Sequence, residues 1–243
     1  MTPDSSDNET NLDFMSKRIV VAIDGPAGAG KSTIARSVAK KLGFTYIDTG
    51  AMYRAVALWA LKANVDLSDM HRLEQLALAA HIEFADGDER VLLNGEDVTE
   101  AIREPHMAEV ASRVSAVPAV RRAMVDEQRR MSQAGSVVLE GRDIGTVVFP
   151  KADVKVFLDA LPELRVSRRI RDMERQGSPV EQDEVARQIA ERDRRDRTRA
   201  EAPLVQAPDA VYIDSTGLSI EEVEEAILKL IRSRTSNGKE LAR

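Results

Sequence analysis

The chain has 243 residues, 43% of them hydrophobic, with 41 acidic and 35 basic side chains for a net charge of −6. That is enough apolar material for one large domain with insertions or two small ones, and the acidic balance argues against a nucleic-acid-binding surface. Cysteine is absent, which excludes disulfides and thiolate metal sites and suits a cytoplasmic protein, and no run of about 18 apolar residues offers a membrane span.

Residues 1–16 are polar and acidic, with no Lys or Arg before Lys17, the reverse of a targeting leader. They read as a disordered tail. Arg18 to Asp24 is short, apolar and β-branched, so it predicts a buried strand. The next residues, Gly25, Pro26, Ala27, Gly28, Ala29, Gly30, Lys31 and Ser32, match the full G-x-x-x-x-G-K-[ST] pattern of a phosphate-binding loop. After Thr33 a helix follows, with Ile34, Val38 and Leu42 on one face and Gly43 as its stop. Strand, glycine-rich loop and helix in that order make an anion site, because backbone N–H groups and the helix dipole converge on it. In such a loop Lys31 reaches the β- and γ-phosphates of a triphosphate and a hydroxyl suits Mg²⁺.

Phe44 to Asp48 predicts a second strand, and Thr49 and Gly50 open a helix running to about Lys62. A helix capped by Ser68 is expected up to about Ala80. Three short extended stretches follow at 81–84, 90–93 and 96–98. They are joined by Asp86-Gly87-Asp88 and by Asn94-Gly95, the latter a strong hairpin signal. Residues 64–103 thus read as a small antiparallel insert.

Helical spacing returns over about Met107–Val117, and Pro118 opens a further helix that Gly135 ends. Strands are expected at 136–140 and 154–158, helices at about 162–176 and 181–197, and a last strand at 210–214. Ser219 and Glu222 form a capping box for the final helix. Five strands alternating with helices predict an α/β fold with a parallel sheet covered on both faces.

Between Arg165 and Arg199 stand eleven arginines and no lysine. One reading is a solvated helix held by i,i+4 pairs, Glu191–Arg195, Arg192–Asp196 and Asp193–Arg197. The other is a phosphate-facing surface, since Arg192, Arg195 and Arg199 share one helical face beside Asp196 and arginine recognises phosphate bidentately. Both Arg192 and Arg199 are then expected to face solvent until a ligand arrives. Arg142 and Asp143 follow a strand's carboxyl end, where ligands bind in open α/β sheets. His71, His81 and His106 are too dispersed to suggest a metal cluster. One triphosphate loop, arginines from several segments and no nucleophile–base pair suit phosphoryl transfer between two phosphate-bearing ligands.

Several segments together resemble the bacterial cytidylate kinases: Ile23–Lys31, Asp48–Arg54, Leu93–Val98, Gly141–Pro150, Glu191–Arg197, Ala202–Leu204 and Asp214–Ser215, within a likeness spanning about residues 17 to 235. The resemblance implies a P-loop three-layer fold with a five-stranded parallel sheet, an antiparallel monophosphate-binding insert and a helical lid. It divides the chain into core segments at 17–63, 104–162 and 199–235, the insert at 64–103, the lid at 163–198 and a flexible tail at 236–243. It implies transfer of the ATP γ-phosphoryl group to CMP or dCMP by a cytoplasmic monomer that binds neither nucleic acid nor membrane. Gly25 to Thr33 would hold ATP. Thr49, Tyr53, Arg54, Ser112, Arg121, Arg142, Asp143, Arg192, Asp196 and Arg199 would surround the monophosphate. Lys31, Arg142, Arg192 and Arg199 would act on the transferring group, with Ser32 favoured for Mg²⁺ and Thr33 as the alternative. Two rival readings are a P-loop kinase for another small molecule, such as a different nucleotide, shikimate or dephospho-coenzyme A, and a nucleotide-dependent switch. The absence of an Asn-Lys-x-Asp tetrapeptide argues against a guanine-reading switch.

Overall fold

The computed structural model describes residues 18–85, 89–175, 177 and 180–240. The expected tail at 1–16 and the Asp86-Gly87-Asp88 turn lie outside them.

Five strands, β1 (Val20–Asp24), β2 (Thr45–Asp48), β6 (Val137–Gly141), β7 (Val154–Asp159) and β8 (Val211–Asp214), form one sheet in the order β2-β6-β1-β7-β8. Every pairing in it is parallel. The period-2 alternation of β1 sorts its side chains onto two faces. Val20 and Ala22 pack into the core shared with α2 (Thr49–Lys62), α3 (Met70–Ala79), α4 (Met107–Val114) and α5 (Pro118–Met131). Val21 and Ile23 pack on the other side with α1 (Lys31–Leu42) and α8 (Ile220–Glu240). The result is three layers, with β1 buried at the centre. Register sets Asp24 beside Gly141 of β6 and Phe157 of β7, so the loops leaving these strands emerge together at one edge.

The insert is an antiparallel sheet of β3 (Ile82–Ala85), β4 (Arg90–Leu93) and β5 (Glu96–Asp97). Asn94 and Gly95 both take positive φ, 52° and 82°, as a type I′ hairpin turn requires. The helices α6 (Pro162–Arg175) and α7 (Gln182–Thr198) pair around a small core of their own, built on Val166, Val185 and Ile189. The capping box holds: Glu222 accepts from the Ser219 N–H at 2.8 Å, and the Ser219 hydroxyl accepts from the Glu222 N–H at 3.2 Å.

Four expectations are corrected. The cap of α3 is Asp69, whose carboxylate accepts from the Arg72 N–H at 3.0 Å. Ser68 is occupied otherwise, because Asp66 takes both its N–H and its hydroxyl at 2.8 Å. The helix α4 stops at Val114 rather than Val117, since the residue before Pro118 is pushed out of the helical region and Val117 is extended, with φ −76° and ψ 118°. A π-turn over Ile144–Val148 stands where only a connecting segment was expected. At the far end, α8 continues to Glu240 through most of the expected flexible tail, with residues 241–243 outside the description. Extending an established helix costs far less than starting one.

Asp69→Ala should destabilise the protein by about 1 kcal/mol, the usual cost of losing an N-cap, while Ser68→Ala should cost much less. Urea unfolding of the two variants checks this, and equal losses would contradict the assignment.

Candidate active site

The site starts at the carboxyl end of β1. Gly25 takes φ +153° against β7, where an added Cβ would sit 1.9 Å from the Leu158 carbonyl oxygen, so no side chain fits there. Gly30, with φ +93°, turns the chain into α1. Lys31 is buried and its Nζ donates to the Pro26 carbonyl at 2.7 Å. Burial, and next the Arg142 guanidinium, pull its ammonium down to about pKa 7 from 10.5. Asp24, one residue before the loop, accepts from the Ile144 and Gly145 N–H groups at 2.8 and 2.7 Å. Burial outweighs those donors and raises its carboxyl to about 6.

Four half-buried arginines join Lys31: Arg54 from α2, Arg142 after β6, Arg169 from α6 and Arg192 from α7. Arg142 is balanced by Asp196, Nε to Oδ2 at 2.8 Å, and Arg54 by Asp48 at 3.1 Å. Arg192 is not balanced. Among the described residues it makes no ion pair, and its Nε is buried without a hydrogen-bond partner. Burial, and after it Arg142, lower its guanidinium to about 10; Asp196, though not in direct contact, opposes the shift, and Arg54 and Arg169 add to the repulsion. A group that is cationic at any physiological pH is thus held against other cations, an arrangement that an anionic ligand relieves.

A second cluster lies at the other end of the same cleft. Arg121 pairs with Asp143, donates to the Ser115 carbonyl at 3.2 Å and lies 5.5 Å above the Tyr53 ring. Arg199 reaches Asp143 at 3.5 Å and Asp196 at 3.6 Å, and its Nε donates to the Ala202 carbonyl at 2.6 Å. Burial works against the Asp196 carboxylate, but Arg142, Arg192 and Arg199 outweigh it and hold the group below the ordinary carboxylate range. Thr49 turns its hydroxyl to the Glu140 carbonyl at 2.6 Å. The Ser112 hydroxyl is buried and unpartnered beside this cluster. Across the mouth, Arg195 makes a bidentate pair with Glu109 of α4 at 2.8 and 2.5 Å.

The cleft joining the two ends encloses about 980 Å³. Ala27, Gly28, Gly30, Lys31, Ser32 and Thr33 line it, as do all ten residues expected around the monophosphate. Gly25, Pro26 and Ala29 do not line it, and shape the loop instead. Arg199 departs from expectation: its side chain is only 7% exposed, because it is tied to two aspartates and a carbonyl. Of the expected i,i+4 pairs, Glu191–Arg195 is present at 3.7 Å, whereas Asp196 pairs with Arg142 and Asp193 with Arg165. Asp24, Glu140, Arg165, Arg169 and Asp193 were not singled out from sequence. Asp24 and Glu140 had a signal, standing at the carboxyl ends of two parallel strands. Arg165, Arg169 and Asp193 had none beyond the arginine run. No group of three His, Cys, Asp or Glu residues that could hold a metal ion occurs among the described residues.

A parallel sheet with a glycine-rich anion loop at its carboxyl edge, facing arginines from several segments, defines a P-loop kinase architecture. The family pattern described as cytidylate kinase matches residues 21–233. A cytidylate kinase of Solibacter usitatus is 62% identical over 232 residues, covering 95% of this chain and 99% of the relative. One of Pelotomaculum thermopropionicum is 51% identical over 222 residues, covering 90% and 96%. The chain belongs to the cytidylate kinase family.

The ionisation of Lys31 has a readable sign. Its folded value lies below the unfolded one, so the folded chain binds fewer protons between about pH 7 and 10.5. The cost of burying its charge is therefore full below pH 7 and is relieved as pH rises. A polyphosphate beside Lys31 restores the charge, so nucleotide binding at pH 8 should take up about one proton, and affinity should weaken toward tenfold per unit above pH 7. Titration calorimetry in buffers of different ionisation enthalpy measures that uptake, which Lys31→Met should remove.

The two arginines of α7 should part company in stability. Arg192→Leu removes an unbalanced buried cation and should leave the melting temperature of the ligand-free protein unchanged or raised. Arg199→Leu removes a second guanidinium from Asp143 and Asp196, which keep Arg121 and Arg142, together with the hydrogen bond to the Ala202 carbonyl, and should cost about 1 kcal/mol. Thermal melts of both decide, and a larger loss for Arg192 than for Arg199 would contradict the electrostatic picture.

Proposed function

We propose that the chain transfers the γ-phosphoryl group of ATP to CMP or dCMP, giving ADP and CDP or dCDP. Family membership supports the reaction, and the unbalanced Arg192 beside Lys31 and Arg142 supports this cleft as its place. The triphosphate lies in the loop from Gly25 to Thr33. Lys31 neutralises charge on the β- and γ-oxygens, and Arg142 and Arg192 hold the phosphoryl group between donor and acceptor. The helices α6 and α7 act as a lid, carrying Arg192 and Arg199 into the cleft and excluding water. With two phosphate-bearing ligands aligned by fixed cations, positioning and charge neutralisation supply the catalysis, and no side chain is needed as a covalent nucleophile.

The residues present fit Mg²⁺ as a nucleotide-borne ion. Ser32 and Thr33 line the cleft beside Lys31, so a hydroxyl stands where a nucleotide-borne ion would need one. Ser32 would hold it, with Thr33 as the alternative, and the ion would add neutralising charge to the β- and γ-phosphates.

The far cluster reads the base. Cytosine presents an amine donor where uracil presents an acceptor. The unpartnered Ser112 hydroxyl and the spare lone pairs of the Asp143 carboxylate accept from that amine, and Arg121 donates to the ring acceptors. The Arg54–Asp48 pair, with Thr49 and Tyr53, closes the pocket from the side of α2. We propose that the chain acts as a monomer in the cytoplasm. Among the described residues no helix is long and apolar enough to cross a membrane.

A coupled assay with ATP against a panel of nucleoside monophosphates tests the reading, with CMP and dCMP expected as the strong acceptors. A pocket built to pair a polar group rejects the mismatched analogue by up to about 10⁴-fold. Asp143→Ala should therefore shrink the CMP-over-UMP ratio of kcat/KM, chiefly by losing activity on CMP. An unchanged ratio would remove Asp143 from base recognition, and wild-type use of UMP as readily as CMP would sink the substrate assignment.

A further inference from the structure

The start of the phosphate loop is gripped by the lid helices. The Ala27 N–H donates to Oδ1 of Asp193 in α7 at 3.2 Å. Its carbonyl accepts from Nη1 of Arg165 in α6 at 2.9 Å, and the same Nη1 reaches Oδ2 of Asp193 at 2.5 Å. Both backbone polar groups of one loop residue, in the two peptide units that flank its Cα, are thus satisfied by a single ion pair. The pair is shielded from water, with side chains 8% and 11% exposed. The two following residues are held as well. A Cβ on Gly28 would lie 2.8 Å from the Arg165 carbonyl oxygen, so the backbone of α6 packs directly on the loop. The Ala29 carbonyl accepts from Arg168 at 3.0 Å.

Two consequences follow from the chemistry of the loop. Pro26 has no N–H, so Ala27 carries the first amide donor after Gly25, and Asp193 takes it. The amides left to curl around an anion are those from Gly28 onward. A carboxylate this close to an anion cradle would repel a triphosphate unless it were neutralised, and Arg165 neutralises it. The residue before Asp193 is Arg192, which lines the cleft, so the turn of α7 that holds the loop also presents the unbalanced cation.

We propose that Arg165 and Asp193 are positioning residues for the triphosphate. Their pair fixes the two peptides flanking Ala27 so that the later loop amides face the ligand, and it ties that loop conformation to the helix bearing Arg192. This rests on the reading that ATP occupies the loop.

The test compares the full-length wild type with Arg165→Met, Asp193→Asn and the double variant, measuring MgATP affinity by calorimetry and KM for ATP and for CMP by coupled assay. Arg165→Met leaves Asp193 uncompensated at the loop, so its ATP Kd should rise by about tenfold or more while KM for CMP stays within about twofold. The double variant, neutral at this position, should recover most of the lost ATP affinity. It should keep a lowered kcat, because α7 is no longer anchored to the loop. If Arg165→Met does not fold, Arg165→Lys keeps the charge but not the two-way reach, and should show a smaller loss confined to ATP. ATP affinity within about twofold of wild type in the folded single variants would overturn the proposal. So would a parallel loss of ATP and CMP affinity, or a double variant no better than Arg165→Met. Failure of the wild type to bind MgATP would instead bring down the triphosphate reading, and this proposal with it.

Discussion

Positive charge crowded at the carboxyl edge of the sheet is the constraint around which this molecule is arranged. Lys31 and the half-buried Arg54, Arg142, Arg169 and Arg192 converge there from five separate elements. Mutual repulsion among partly desolvated cations is costly, and the fold moderates it by interleaving aspartates. Asp196 serves Arg142 and Arg199, Asp143 serves Arg121 and Arg199, and Asp48 serves Arg54. Among the described residues Lys31, Arg169 and Arg192 have no paired carboxylate, and Arg142 repels both Lys31 and Arg192. The shortfall of negative charge is local, since the chain as a whole carries a net charge of −6. A partly desolvated cation without a paired carboxylate inside the cleft favours the anionic ligands proposed above, while the acidic surroundings discourage indiscriminate contact with polyanions.

Sheet register turns that charge into a usable site. Asp24 stands beside Gly141, so the loop after β1 and the loop after β6 leave the sheet side by side. The Asp24 carboxylate then holds the second loop by two amides, Ile144 and Gly145, and the π-turn places Arg142 and Asp143 toward the cleft. The loop after β1 and the loop after β6, proposed above to hold the triphosphate and read the base, are thereby tied into one edge. That tie matters for a reaction whose catalysis is mostly alignment, where small misplacements are costly in rate.

Much of this was legible in the sequence, for identifiable reasons. The five strands, the Asn94-Gly95 hairpin and the Ser219–Glu222 capping box are written in local chemistry that tertiary packing had no cause to override. The phosphate loop was legible because its glycines answer backbone demands, as the 1.9 Å approach at Gly25 shows. The partners of the charged residues were not. Asp193 and Asp196 were expected to pair along their own helix, where each has an arginine four residues away. Instead they reach Arg165 of another helix and Arg142 of a loop. Helical spacing reports which residues share a face but not what that face meets, and buried partners from elsewhere in the chain outcompete exposed i,i+4 pairs worth only a few tenths of a kcal/mol. The burial of Arg199 was missed for the same reason. The shift of the α3 cap from Ser68 to Asp69 is a smaller case, since Asp66 claims the serine first.

The α6–α7 pair, proposed above as a lid, is docked by the same charges. Its apolar core, Val166, Val185 and Ile189 with Ile170 and Met173, is internal to the pair α6–α7 and separate from the two cores of the sheet. Prominent attachments to the rest of the molecule are polar: Arg165 to Ala27, Arg168 to Ala29 and Ser215, Asp196 to Arg142, and Arg195 to Glu109. Swinging the helix pair outward therefore leaves its own hydrophobic contacts intact and exchanges those attachments for water. Polar groups separated in this way are rehydrated on both sides, which offsets much of the lost pairing, whereas an exposed apolar core gains nothing from water. In the proposed reaction, a helix pair with a core of its own and polar docking contacts opens as one body to admit two highly charged ligands and closes again on the cations.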